Sequence, residues 1–148
     1  MLSYTEASNL YDRDILLWVE DTVAKLKARD FTHLDLQHLT EEVEALGVSQ
    51  QRELLSRLTR LLEHLLKRLY VQSPDYYRGW EITIRNQRSE LEILLDKVPS
   101  LRNQWHENFE DAWKRSLKKV RKEYDRVTFP ETWPYDRSID FILEADLW

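Results

Sequence analysis

The sequence predicts an all-α fold, a single bundle of about five to six helices spanning residues 1–148, with an extended Pro-containing strap and a short C-terminal helix. Three observations carry this. Two Gly and four Pro among 148 residues leave little of the turn vocabulary that a β-rich chain needs. Leu, Glu, Arg and Lys, all good helix formers, dominate the composition. Apolar residues recur along most of the chain with a period near 3.6. With 42% apolar and 33% charged residues the length suits one ordinary domain with a sizeable core.

The first predicted helix covers about residues 13–29. Ile15, Trp18, Val19, Val23 and Leu26 form its apolar stripe, Asp12 is placed to cap its start, and Lys25, Lys27 and Arg29 suit the negative end of its dipole. The second begins behind Asp35, another cap candidate, and its stripe runs Leu36, Leu39, Val43, Leu46, Leu54, Leu58, Leu61, Leu65 and Leu69. Unbroken from 36 to 71, this helix would be roughly 54 Å long, against roughly 38 Å for the diameter of a compact domain of this size. Gly47, followed by Ser49 as a capping residue, therefore predicts a kink or tight turn at 47–49.

Ser73 and Pro74 mark the start of the next helix, with Trp80, Ile84, Leu91, Leu94, Leu95 and Val98 on its stripe. Pro99 ends it and Ser100 is placed to cap a further helix whose buried face reads Leu101, Trp105, Phe109, Ala112, Leu117 and Val120. Pro130 and Pro134 make the following segment an extended strap, and a short helix follows Asp136.

Several segments together resemble the bacterial Domain of Unknown Function 29 family: "LYDRDILLW" (10–18), "LDLQHLTEEVEALG" (34–47), "LLEHLLK" (61–67), "WEITIRNQR" (80–88), "VPSLR" (98–102) and "FPETWPY" (129–135). The resemblance follows nearly the whole chain in order. It implies an all-helical fold and supplies no activity or catalytic residues.

The absence of Cys excludes disulfides, thiolate metal sites and Cys nucleophiles. No Gly-x-Ser-x-Gly elbow is present, and two glycines cannot build a phosphate-cradling loop, so neither a catalytic nor a cofactor site is expected. The N-terminal residues lack a signal-peptide pattern and no apolar run is long enough to cross a bilayer, which makes a cytoplasmic location the expectation, with no membrane partner.

Three constellations remain. Glu41, Glu42 and Glu44 with His64 are the candidate metal ligands, but only if the helix breaks at Gly47: along a straight helix Glu42 and His64 stand roughly 33 Å apart. The chain has no Glu-x-x-His pair, and Asp30-x-x-His33 and Asp35-x-x-His38 fall where capping is the commoner role, so no metal is expected. Gln50 and Gln87 lie on apolar stripes bordered by Arg88, which predicts a structural polar network with Glu42 that fixes helix register. Between residues 114 and 126 seven basic residues (Lys114, Arg115, Lys118, Lys119, Arg121, Lys122 and Arg126) against two acidic ones give +5, on a chain of net charge −5. The leading functional expectation is a non-catalytic helical module that binds a protein partner or a second copy of itself. The alternatives are a nucleic-acid-associated accessory protein using that basic face, and a metal-dependent enzyme with a Glu/His site.

Overall fold

A computed structural model describes residues 2–148, and among them all regular structure is helical. The helices are α1 (Tyr4–Arg13), α2 (Ile15–Lys27), α3 (Leu36–Tyr70), α4 (Pro74–Lys97), α5 (Trp105–Glu123) and α6 (Ile139–Glu144), with a 3₁₀ segment at Pro99–Gln104. None is long and apolar enough to cross a membrane. The chain forms two compact units, residues 1–49 and 50–148.

Helix α1 follows from a capping box: the Ser3 hydroxyl accepts from the Glu6 amide and the Glu6 carboxylate accepts from the Ser3 amide. Because α1 continues to Arg13, Asp12 is helical and the cap of α2 is Asp14, whose carboxylate accepts from the Leu17 amide at 3.2 Å. The same extended Asp14 residue ends α1 and starts α2.

Helix α3 corrects the expected break. It runs through Gly47 and Ser49 without interruption, and Gly47 does not have a positive φ. A glycine inside a helix costs about 1 kcal/mol relative to alanine. That is less than the loss of backbone hydrogen bonds and of a common stripe phase that a turn would bring. Domain diameter does not limit helix length here, since α3 supplies residues to both units. With α3 continuous, the precondition for a Glu/His metal site is not met.

In the second unit the predicted stripes do form the core. Leu54, Leu58, Leu61, Leu62, Leu65 and Leu66 of α3 are fully buried, with Ile84, Leu91 and Leu95 from α4 and Phe109, Ala112 and Val120 from α5. Pro74 opens α4 in the first helical turn and the helix stops before Pro99. Ser100 is not a helix cap: it lies within the 3₁₀ segment, whose Leu101 is buried, and α5 starts at Trp105. Between α5 and α6 the strap has backbone carbonyls with no helical partner, and three indoles supply donors. Trp105, Trp113 and Trp133 donate Nε1–H to the carbonyls of Arg137, Glu131 and Asp136 at 2.8, 3.2 and 3.0 Å. Helix α6 is capped by Ser138, whose hydroxyl accepts from the Phe141 amide, while Asp136 accepts from the Ser138 amide.

Two stability effects follow. Leu61→Ala or Leu65→Ala should each cost about 2–5 kcal/mol in denaturant melts, because each leaves a cavity in a fully buried row. Gly47→Ala should stabilise by up to about 1 kcal/mol, since a Cβ there would meet nothing within 4 Å. Loss of stability in the alanine variant would mean that the helix is not continuous at this position.

Candidate functional site

In the first unit five side chains from three helical segments converge. Asp35, almost completely buried just before α3, caps that helix by accepting from the His38 amide at 3.3 Å. Its other oxygen accepts from His38 Nδ1 at 2.6 Å and from Trp18 Nε1 of α2 at 3.1 Å. The His38 ring stacks on Tyr11 of α1, with centroids 3.9 Å apart and planes inclined by 12°. Tyr11 in turn donates its hydroxyl to Glu42 Oε1 at 2.5 Å.

The electrostatics follow from these bonds. The Asp35 hydrogen bond is the main reason that the His38 imidazole sits above its ordinary 6.5; burial opposes it, and the negative charges of Asp35, Glu41 and Asp12 add to it. Donation to Glu42, then burial and the same acidic surroundings, push the Tyr11 phenol up to about 12. The phenol therefore stays protonated and its proton is committed to Glu42. The cluster works as a clamp that fixes α1 and α2 to the start of α3. Sequence spacing exposed its Asp35-x-x-His38 half; Tyr11, 31 positions from Glu42, carried no local signal.

The other predicted site residues lie as follows. Glu41 and Glu44 are exposed and Glu42 is bonded to Tyr11. His64 Nδ1–H donates to the Arg60 carbonyl at 2.8 Å, and burial lowers its pKa. Among the described residues no group of three or more His, Asp or Glu is placed to hold a metal. Of the residues grouped as one register network, Glu42, Gln87 and Arg88 bond to separate partners. Gln87 accepts from Arg57, which also reaches Glu53 and Glu90. Arg88 donates to the carbonyls of Ile142 and Ala145 at 2.9 and 2.8 Å, so it closes the exposed end of α6. Burial lowers the Arg88 pKa, with the Asp146 carboxylate opposing. Gln50 is half-buried.

In the first unit the apolar side chains of α2 mostly turn outward. Of the expected α2 core stripe only Trp18 is inside; Ile15, Val19, Val23 and Leu26 are exposed by 41–49%. Periodicity places these residues on neighbouring helical positions but does not fix which side turns inward. The buried side of α2 is instead Trp18, Thr22 and a fully buried Lys25. Lys25 Nζ lies 2.7 Å from Asp21, and the salt bridge together with the Leu2 amide holds the Asp21 carboxyl below its usual value, although burial, the largest single influence, works in the opposite direction. On α3, Leu36, Val43 and Leu46 are exposed as well.

Six of the seven basic residues lie on α5 and Arg126 follows it; all seven are exposed, with Arg115 paired to Asp111, Lys119 to Glu63 and Arg121 to Glu131. The family model described as the domain of unknown function DUF29 matches residues 10–148. The chain belongs to that family. No curated protein matches the sequence, and no solved structure does. In this DUF29 chain all five clamp residues, Tyr11, Trp18, Asp35, His38 and Glu42, lie within the matched range.

Because His38 titrates above its ordinary value in the folded chain, its contribution to stability is complete below pH 6.5 and is lost as pH rises through the raised value. The melting midpoint should therefore fall over that window in the wild type, and the His38→Gln variant should lack this component. Parallel pH profiles for the two proteins would show that His38 is not held by Asp35 in solution.

Proposed function

We propose that this DUF29 protein is a non-catalytic helical interaction module whose first unit docks a protein partner. One observation carries the reading: the first unit turns Lys25, Thr22 and Asp35 inward and Ile15, Val19, Val23, Leu26, Val43 and Leu46 outward. Apolar residues grouped on exposed helix faces mark interaction surfaces, since covering each square ångström of them contributes about 25 cal/mol. The polar groups of the clamp are engaged with one another, which supports a structural rather than a catalytic role for them. Residues 1–49 hold ten acidic and four basic residues, a net charge of −6. That charge disfavours a second identical unit across the interface and favours an amphipathic helix with basic flanks.

The Val19→Glu/Val23→Glu double variant tests this. Recovered from native lysate beside the wild type, it should lose a stoichiometric protein partner that the wild type retains. Its own melting midpoint should stay nearly unchanged, as exposed substitutions usually shift stability by no more than about 0.5 kcal/mol. Equal partner recovery by both proteins would overturn the proposal. So would a stability loss above about 2 kcal/mol, since it would mean that these side chains are covered within the chain itself.

A further inference from the structure

The second unit holds a groove that the docking reading does not use. Helices α3 and α5 lie side by side and point the same way. Ser116 Oγ donates to the Thr59 carbonyl at 2.8 Å, Lys119 Nζ reaches Glu63 at 3.3 Å, and Lys67 Nζ reaches Glu123 at 3.2 Å, so contacts advance along both helices together. The groove between them has a volume of about 540 Å³, within the range of roughly 300–1,000 Å³ usual for ligand sites.

This parallel register brings cations from both walls to one level. Arg60 follows Thr59 on α3, and Arg115 precedes Ser116 on α5; both line the groove, as do Arg52 and Lys119. Arg52 lies about 12 Å back along α3 from Arg60, and Lys119 about 6 Å forward of Arg115, at 1.5 Å of rise per residue. The lining holds four cations and one carboxylate, Glu63, which is buried and paired with Lys119.

The pairing of these cations is selective. Arg57, also on α3 but outside the groove lining, is neutralised by Glu53 and Glu90. Among the described residues Arg52 and Arg60 make no ion pair, and Arg115 has only the exposed Asp111. Like charges held together on a structured surface repel one another, and the arrangement is relieved by an anion. Guanidinium groups match phosphate oxygens with paired hydrogen bonds. No aromatic side chain lines the groove, so bases or rings find no stacking surface and the contact is with the phosphates themselves. The acidity of the whole chain does not oppose this. The −6 belongs to residues 1–49, and residues 50–148, which build the groove, carry 18 basic and 17 acidic residues.

We propose that the groove between α3 and α5 binds ligands carrying two or more phosphate groups, gripped by Arg52, Arg60 and Arg115. The inference is independent of the docking reading, since it uses only the second unit.

The test uses the full chain with inorganic tripolyphosphate, measured by titration calorimetry, and with a DNA duplex of about 20 base pairs, measured by fluorescence anisotropy between about 50 and 200 mM salt. Tripolyphosphate should bind at one site per chain. The Arg60→Gln/Arg115→Gln variant should weaken it by at least roughly ten-fold, and Lys97→Gln, at the far end of α4 and outside the groove lining, should leave it unchanged. Arg52→Gln provides a second, single-site probe, and melting curves report whether each variant is folded. Duplex binding with a slope of log K against log salt near about −2.7, falling in magnitude by about 1.8 in the double variant, would support a nucleic-acid backbone as the phosphate source. Tripolyphosphate binding without duplex binding would support a small phosphorylated ligand. The proposal is overturned if the wild type does not bind tripolyphosphate at the lower salt concentration, if folded arginine variants bind it as the wild type does, or if polyglutamate binds equally well, because the groove would then recognise charge alone.

Discussion

The rest of the structure depends on one feature, the row of apolar residues along α3. Leu36, Leu39, Val43, Leu46, Leu54, Leu58, Leu61 and Leu65 keep one helical stripe across both units. From Leu54 onward that stripe is the densest part of the second unit's core. Before Gln50 the same helix leaves Leu36, Val43 and Leu46 open to solvent. The two parts of α3 therefore serve different ends: its C-terminal leucines build the second unit's core, and its N-terminal apolar residues remain on the first unit's surface.

The first unit accordingly holds together by a different means. Its buried apolar side chains are Ala7, Trp18 and Leu34, and the remaining interior is polar. One Asp35 oxygen serves both the Trp18 indole and the His38 imidazole, and Asp21 meets the buried Lys25. Buried polar contacts of this kind fix geometry more effectively than they add stability, because desolvation offsets much of their attraction. The outward apolar residues contribute little until something covers them, so a bound partner would add burial that the isolated unit lacks. Acidic composition in this unit and paired, near-neutral composition in the second also separate their surfaces chemically.

Much of the second unit was legible in the sequence because periodicity, proline and caps agreed there. The Leu54–Leu65 row, the start at Pro74, the stop before Pro99 and the Pro130/Pro134 strap all follow from local chemistry. Helix α1 lies outside the predicted elements although Ser3-x-x-Glu6 announces its capping box. Gly47 misleads because domain size does not limit helix length. The inversion of α2 was not legible, since a stripe shows which residues share a side and says nothing about which side finds a neighbour. The candidate sites were the least visible part. Tyr11 reaches Glu42 across 31 positions, Arg88 reaches carbonyls 54 and 57 positions away, and the groove needs the register of α3 against α5.

We propose that the first unit's exposed apolar helix faces are covered by a partner, and the absence of cysteine allows a direct test of their exposure. Single substitutions Val23→Cys, Val43→Cys and Leu61→Cys each give a chain with one thiol, whose reaction with a maleimide can be followed in dilute native solution. The thiols at 23 and 43 should react about as fast as those of the unfolded chain, while the one at 61 should be protected until global unfolding. Addition of the native partner should slow labelling at 23. Protection at 23 and 43 in the dilute isolated protein, comparable to that at 61, would contradict the claim.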